Sequence, residues 1–123
     1  MTFQFEKLKN LYELIEISST RFPNRIALSE YQDNAIISLT YLELFDAIEK
    51  KSNEISKLGL IKMSNIALSG SNSINWVISF FSILKAGHIA VPIDPKMNQQ
   101  GMEFILSFTN AQLFIVDNIS NFK

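Results

Sequence analysis

Ser69-Gly70-Ser71-Asn72-Ser73 is the segment best placed to hold an anion, because it follows a β-prone run and opens a helical one. Free backbone amides and the dipole at a helix start attract phosphate or carboxylate groups. The pattern lacks both the three-glycine dinucleotide spacing and a Gly-Lys-Ser/Thr ending, and Ser or Asn at this place also serves as an ordinary helix cap. His88 is the only histidine, so a histidine pair for a metal is excluded and no Ser-His-Asp arrangement stands out. At a glycine-to-strand junction it reads as structural or exposed. Lys85 near a helix end complements the dipole. Asp94, between Pro92 and Pro95, suits a turn cap at a strand exit, where open α/β sheets also bind ligands. Asp33, Asp46, Glu49 and Glu103 show no paired geometry and read as solvated surface. Trp76 and the phenylalanines read as core. No residue is therefore assigned a catalytic, cofactor-binding or metal-binding role from its chemistry alone.

The elements that would position these groups can be read from periodicity. Phe5, Leu8, Leu11, Tyr12 and Ile15 predict an amphipathic helix running toward Phe22 and stopped by Pro23. Ile26-Ala27-Leu28 and Ile36-Ile37-Ser38-Leu39, separated by Gln32-Asp33-Asn34, predict a hairpin. Thr40 with Glu43 predicts a capping box. The helix that follows should present Tyr41, Phe45, Ile48, Ser52 and Ile55 inward, keep Glu49-Lys50-Lys51 mostly outside, and stop at Gly59.

Strands are predicted at Asn65 to Ser69, His88 to Ile93 and Leu113 to Val116, with helices at Ser73 to Ala86 and Gln99 to Phe108. This alternation predicts an α/β fold: a small antiparallel hairpin, then a mostly parallel sheet with right-handed crossovers and flanking helices. Ile89-Ala90-Val91 and Phe114-Ile115-Val116 suit strands covered on both faces. The helix from Ser73 to Ala86 is apolar nearly all round, so either helices of this chain wrap it or it packs against further polypeptide, leaving an exposed patch here.

With 123 residues and an apolar fraction of 47%, the chain can build one core, and residues 1–123 are expected to form a single unit. Eleven basic against twelve acidic residues provide no field for nucleic acid. Cysteine is absent, which excludes disulfides, thiolate zinc sites and a cysteine nucleophile. Residues Met1 to Lys9 lack the apolar core of a signal peptide, and Ile74 to Leu84 is too short and interrupted to span a bilayer. A cytoplasmic protein without a membrane span is expected.

Four segments, in order, resemble the opening portion of the adenylate-forming (AMP-binding) ligases, the family of acyl-CoA and aryl-CoA synthetases and peptide-synthetase adenylation domains. Phe22-Pro23-Asn24-Arg25-Ile26-Ala27-Leu28 is similar to an early Pro-x-x-x-Ala-Leu element. Leu39-Thr40-Tyr41-Leu42-Glu43-Leu44 matches the first core motif, Leu-Thr-Tyr-x-Glu-Leu, at every defined position. Asn72 to Val77 resembles the element opening the next helix. Leu84 to Asp94 matches Leu-Lys-Ala-Gly-x-Ala-Tyr-Val-Pro-Ile-Asp, except that Ile89 and Ala90 replace Ala-Tyr. Asn98, Gln100 and Gly101 depart from the Pro and Glu-Arg usual in peptide-synthetase relatives.

The resemblance implies an N-terminal scaffold fragment of an enzyme that joins a carboxylic acid to AMP with ATP and Mg²⁺, often before transfer to a thiol. The family's phosphate loop, acid pocket, ribose-binding aspartate and catalytic lysine would lie beyond Lys123. The fragment alone would then hold no cofactor and be inactive, with the remainder of the ligase as its partner. A free-standing flavodoxin-like nucleotide binder using Gly70 to Ser73, and a truncated interaction module that self-associates through apolar surface, are the alternatives.

Overall fold

The computed structural model describes residues 7–116. Helix α1 (Leu11–Arg21) begins later than its periodicity predicts, because the Asn10 side chain accepts the Glu13 amide at 2.9 Å and caps the helix there. Leu8 therefore precedes the helix, and Phe5 lies outside the described residues. Strands β1 (Ile26–Gln32) and β2 (Ala35–Thr40) form the expected hairpin. Its two-residue loop places Asp33 at φ 50° and Asn34 at φ 64°, the twist that matches two antiparallel strands and that Asp and Asn tolerate.

Helix α2 (Tyr41–Ser56) starts on the predicted capping box: the Glu43 amide donates to Thr40 Oγ1 at 3.1 Å, and the Thr40 amide donates to Glu43 Oε1 at 2.9 Å. These bonds hold the Glu43 carboxyl below its ordinary value of 4.5. Its lowered folded value means that the box contributes stability above pH 4.5, and that this contribution is lost as pH falls through the folded value. Glu43→Gln should accordingly flatten the acid side of a plot of melting temperature against pH. An unchanged slope below pH 4.5 would show that the carboxylate is not linked to folding.

A parallel sheet follows, with β3 (Asn65–Ser69) between β4 (Ile89–Ile93) and β5 (Leu113–Val116). Helix α3 (Ile74–Lys85) connects β3 to β4, and α4 (Gln99–Phe108) connects β4 to β5. Alternation along β3 sends Ile66 and Leu68 toward α2 and α3, where Ile55 and Ile83 complete a buried cluster. Ala67 faces the other way, against Ile93 and Met102, so α4 covers the opposite face. A third cluster, Tyr12, Ile15, Leu44 and Ile48, ties α1 and α2 to the hairpin and α3. Leu44 rather than Tyr41 completes the inner face of α2, because the face that meets α1 and α3 is rotated toward Leu44 and Ile48.

Among the described strands of this sheet, β3 alone is covered as a central strand. Ile89 is 41% exposed and β5 is half-buried throughout, because strand order 4-3-5 puts both at sheet edges. Helix α3 contacts α1, α2, β1, β3 and β4, which resolves its apolar circumference: helices of this chain wrap it. Ser82, fully buried on α3, donates to the Ile78 carbonyl at 2.6 Å and lies 3.3 Å from the Ile48 carbonyl of α2, so a small side chain marks the close helix crossing. The exposed apolar surface lies elsewhere. Phe104 and Phe108 of α4 are 67% and 79% exposed, and their rings stack 5.9 Å apart, contrary to the expectation that the phenylalanines are core.

Two corners share one design. At the end of α3 the Gly87 amide donates to the Leu84 carbonyl at 3.0 Å and the His88 amide to the Ile83 carbonyl at 3.1 Å, with Gly87 at φ +87°. At the end of α4 Asn110, at φ 52°, donates to Ser107 at 3.1 Å while Ala111 donates to Leu106 at 3.0 Å. Both are Schellman closures, which use a left-handed residue to satisfy the last helix carbonyls.

Candidate functional site

The loop from Ser69 to Ser73 does bring a strand end to a helix start, where amides of the first turn of α3 have acceptors within the chain. Ser73 Oγ accepts the Trp76 amide at 3.1 Å, the Ser73 carbonyl accepts the Val77 amide at 3.2 Å, and Glu30 Oε1, from the hairpin, accepts the Ile74 amide at 3.3 Å. A carboxylate of the chain itself thus stands at the positive end of α3. Capping engages the Ile74 and Trp76 amides, two of the donors an anion at this helix start would use.

A cleft of about 320 Å³ opens beside that helix start, outside the carboxyl ends of β3 and β5. Ser69 and Gly70 reach it from β3, Ile115 and Val116 from β5, Asn75, Trp76 and Ser79 from α3, and Lys51 from α2. Ser69 and Ser79 are 5% and 3% exposed. The Trp76 ring, stacked on Phe80 at 5.2 Å, forms an apolar wall with Leu68. Strand ends of open parallel sheets are where ligands gather, because the helices diverge there.

Of the residues singled out by sequence, Ser69, Gly70 and Trp76 meet at this cleft; Lys85, His88 and Asp94 do not line it. Lys85 pairs with Glu49, so Glu49, whose side chain remains 43% exposed, has a partner that its spacing in sequence did not reveal. The Lys85 ammonium also sits over the rings of Tyr12 and Phe45, at 5.3 and 5.7 Å. Burial, and secondarily the Glu16 charge, pushes the Tyr12 hydroxyl above its ordinary value. His88 is buried, with Nδ1 unpartnered, at the corner after α3. Asp94 is exposed and accepts the Lys96 amide at 2.9 Å, the turn cap its setting suggested. Among the described residues no group of three His, Cys, Asp or Glu side chains could hold a metal ion, and no helix is long and apolar enough to cross a membrane.

Lys51 and Ser79 were hidden in the sequence. Lys51 read as part of an outer charged run, and Ser79 as an interruption of an apolar helix. Ser79 and Ser82, three residues apart on one side of α3, were the available signal of a polar stripe.

Neither the cleft nor its lining identifies a family; comparison with known proteins does. A family model described as AMP-binding enzyme matches residues 15–123. The chain belongs to the AMP-binding enzyme family. Its sequence is 26% identical over 115 residues to a mycosubtilin synthase from Bacillus subtilis, covering 94% of this chain and 4% of that protein. It is 26% identical over 106 residues to a long-chain-fatty-acid–CoA ligase of Rattus norvegicus, covering 86% of this chain and 16% of the ligase. Its fold superposes on the N-terminal subdomain of NpsA from Klebsiella oxytoca with a TM-score of 0.83 at 25% identity, over 94% of this chain and 29% of that one. The chain thus spans less than a third of each of these relatives, and its fold corresponds to part of an N-terminal subdomain. Two of the four segments that carried the resemblance are built around a helix cap, Thr40 with Glu43, and the Gly87 corner.

Proposed function

We propose that the chain, as one unit, supplies scaffold for the large domain of an ATP-dependent carboxylic acid ligase. The supporting observation is the family match over residues 15–123 together with the small share of each relative that the chain covers. The reaction of the whole enzyme is acid plus ATP giving acyl-AMP and pyrophosphate, with Mg²⁺ neutralising the departing phosphates, and transfer of the acyl group to a thiol can follow. No described residue is placed in that chemistry. The remaining polypeptide of the ligase is the partner, and the exposed Phe104 and Phe108 belong to the surface available to it or to a second copy. Action in the cytoplasm is part of the same proposal.

The test is acid-dependent exchange between ATP and pyrophosphate. The 123-residue chain should show none, whereas the product of the coding sequence continued past Lys123 should show it with a suitable acid. Exchange by the short chain would overturn the scaffold role. A stop codon after Lys123, with no phosphate-loop segment encoded nearby, would reduce the ligase reading to ancestry. The flavodoxin-like alternative, using Gly70 to Ser73, would have to bind through amides other than those of Ile74 and Trp76, which are bonded to Glu30 and Ser73, and absence of saturable binding of ATP, AMP and FMN would sink it.

A further inference from the structure

We propose that the cleft at the carboxyl ends of β3 and β5 binds a small oxyanion, a carboxylate or phosphate group, seated among the Lys51 ammonium and the Ser69 and Ser79 hydroxyls. This site goes beyond the ligase scaffold role and does not depend on it.

Its chemistry follows from the donors. Lys51 is half-buried and makes no ion pair among the described residues. Ser69 and Ser79 are more than nine-tenths buried as residues, and neither Oγ is among the sealed, unpartnered polar atoms of the described chain, so both hydroxyls keep access to the cleft they line. Both line the cleft with Lys51 and the amide side chain of Asn75. Two hydroxyls and one ammonium lining a single cleft form a set of donors that one shared acceptor can satisfy together. A cation would be repelled by Lys51, and a neutral apolar molecule would leave all these donors unpaired. An oxyanion supplies two or three acceptor oxygens to several donors at once.

The walls strengthen that preference. Leu68, Trp76 and Ile115 line the same cleft and lower the local polarisability, so a charge–charge contact there is screened less than on open surface. A cleft of about 320 Å³ suits a small molecule rather than a polymer. Glu30, the acid at the start of α3, is engaged with the Ile74 amide and is not among the cleft's lining residues.

The experiment uses the isotope-labelled 123-residue chain and follows its amide resonances by NMR during titration with sodium acetate, sodium phosphate or, at matched ionic strength, sodium chloride. Saturable shifts at Ser69, Gly70, Asn75 and Ser79 are expected with acetate or phosphate and not with chloride. Which of the two oxyanions binds more tightly assigns the source of the group. Lys51→Gln should weaken binding at least tenfold, as expected for losing a charge-assisted bond, whereas Lys50→Gln, on the exposed side of α2, should leave it unchanged. Ser79→Ala should weaken it severalfold with the rest of the spectrum intact, and carries the test if Lys51→Gln fails to fold. Equal shifts with chloride, or equal effects of Lys50→Gln and Lys51→Gln, overturn the proposal.

Discussion

Ile48→Ala should destabilise the chain by about 2–5 kcal/mol and lower its melting temperature by roughly 10 °C, the largest effect of any conservative truncation proposed for it. Ile48 is fully buried and packs where α1, α2 and α3 meet the hairpin, among Tyr12, Ile15 and Leu44. Removing three of its carbons leaves a hole that helices already in close contact cannot readily fill. The cost should therefore include the cavity as well as the lost transfer energy. Ile48→Val, which removes one carbon, should cost only about 0.5–1.5 kcal/mol. Leu14→Ala supplies the control: Leu14 lies on the same helical layer but is 47% exposed, so its loss should cost much less. Thermal or urea unfolding checks the order. A melting temperature for Ile48→Ala within a degree or two of the parent would show that the three helices are not packed as described.

Gly87→Val is expected to be the second most damaging change, and for a different reason. A Cβ at Gly87 would meet nothing within 4 Å, so crowding plays no part. Its φ of +87° is the difficulty: an L-residue there costs about 1–2 kcal/mol, and a β-branched one more. The same peptide unit is tied down on both sides. The Gly87 carbonyl accepts the Met63 amide at 2.9 Å, and the next strand begins where the Ile89 amide donates to Ser64 at 3.0 Å. Relaxing the corner would thus break the seam between β4 and the approach to β3. Gly87→Asn should recover most of the loss, because Asn adopts left-handed backbone more readily, as Asn110 does at the end of α4. Stability should fall in the order Gly, Asn, Ala, Val. If Val and Asn were equally tolerated, the corner would not depend on its backbone conformation.

These two sites show which parts of the fold were legible in sequence. Caps and turns were, since Thr40 with Glu43, Asp33 with Asn34, and Gly87 act through neighbours a few residues away. Strand coverage was not. Ile89-Ala90-Val91 and Ile66-Ala67-Leu68 are equally apolar runs, and only the order 4-3-5 makes one an edge and the other the centre. Strand order depends on pairing between distant segments, which apolar runs do not encode. The cleft was legible in part. Ser69 and Gly70 lie in one contiguous strand-to-helix segment, while Lys51 and Ser79 enter from separate helices whose relative rotation no local pattern reveals. The capping of α3 by the hairpin was hidden for the same reason: Glu30, which accepts the first amide of α3, is 44 residues away in sequence.

The central position of β3 also bears on how the chain is made. One edge of β3 pairs with β4, but the other pairs only with Leu113 to Val116. During synthesis from the N-terminus, β3 and β4 therefore emerge before the strand that closes their sheet. At ribosomal rates of about 5–20 residues per second, the stretch from Ile93 to Val116 takes roughly 1–5 s to appear. Through that interval an apolar strand holds an open row of hydrogen-bonding groups toward its surroundings. Nascent chains stalled before and after Val116 should differ in their capture by chaperones, with release following the arrival of β5.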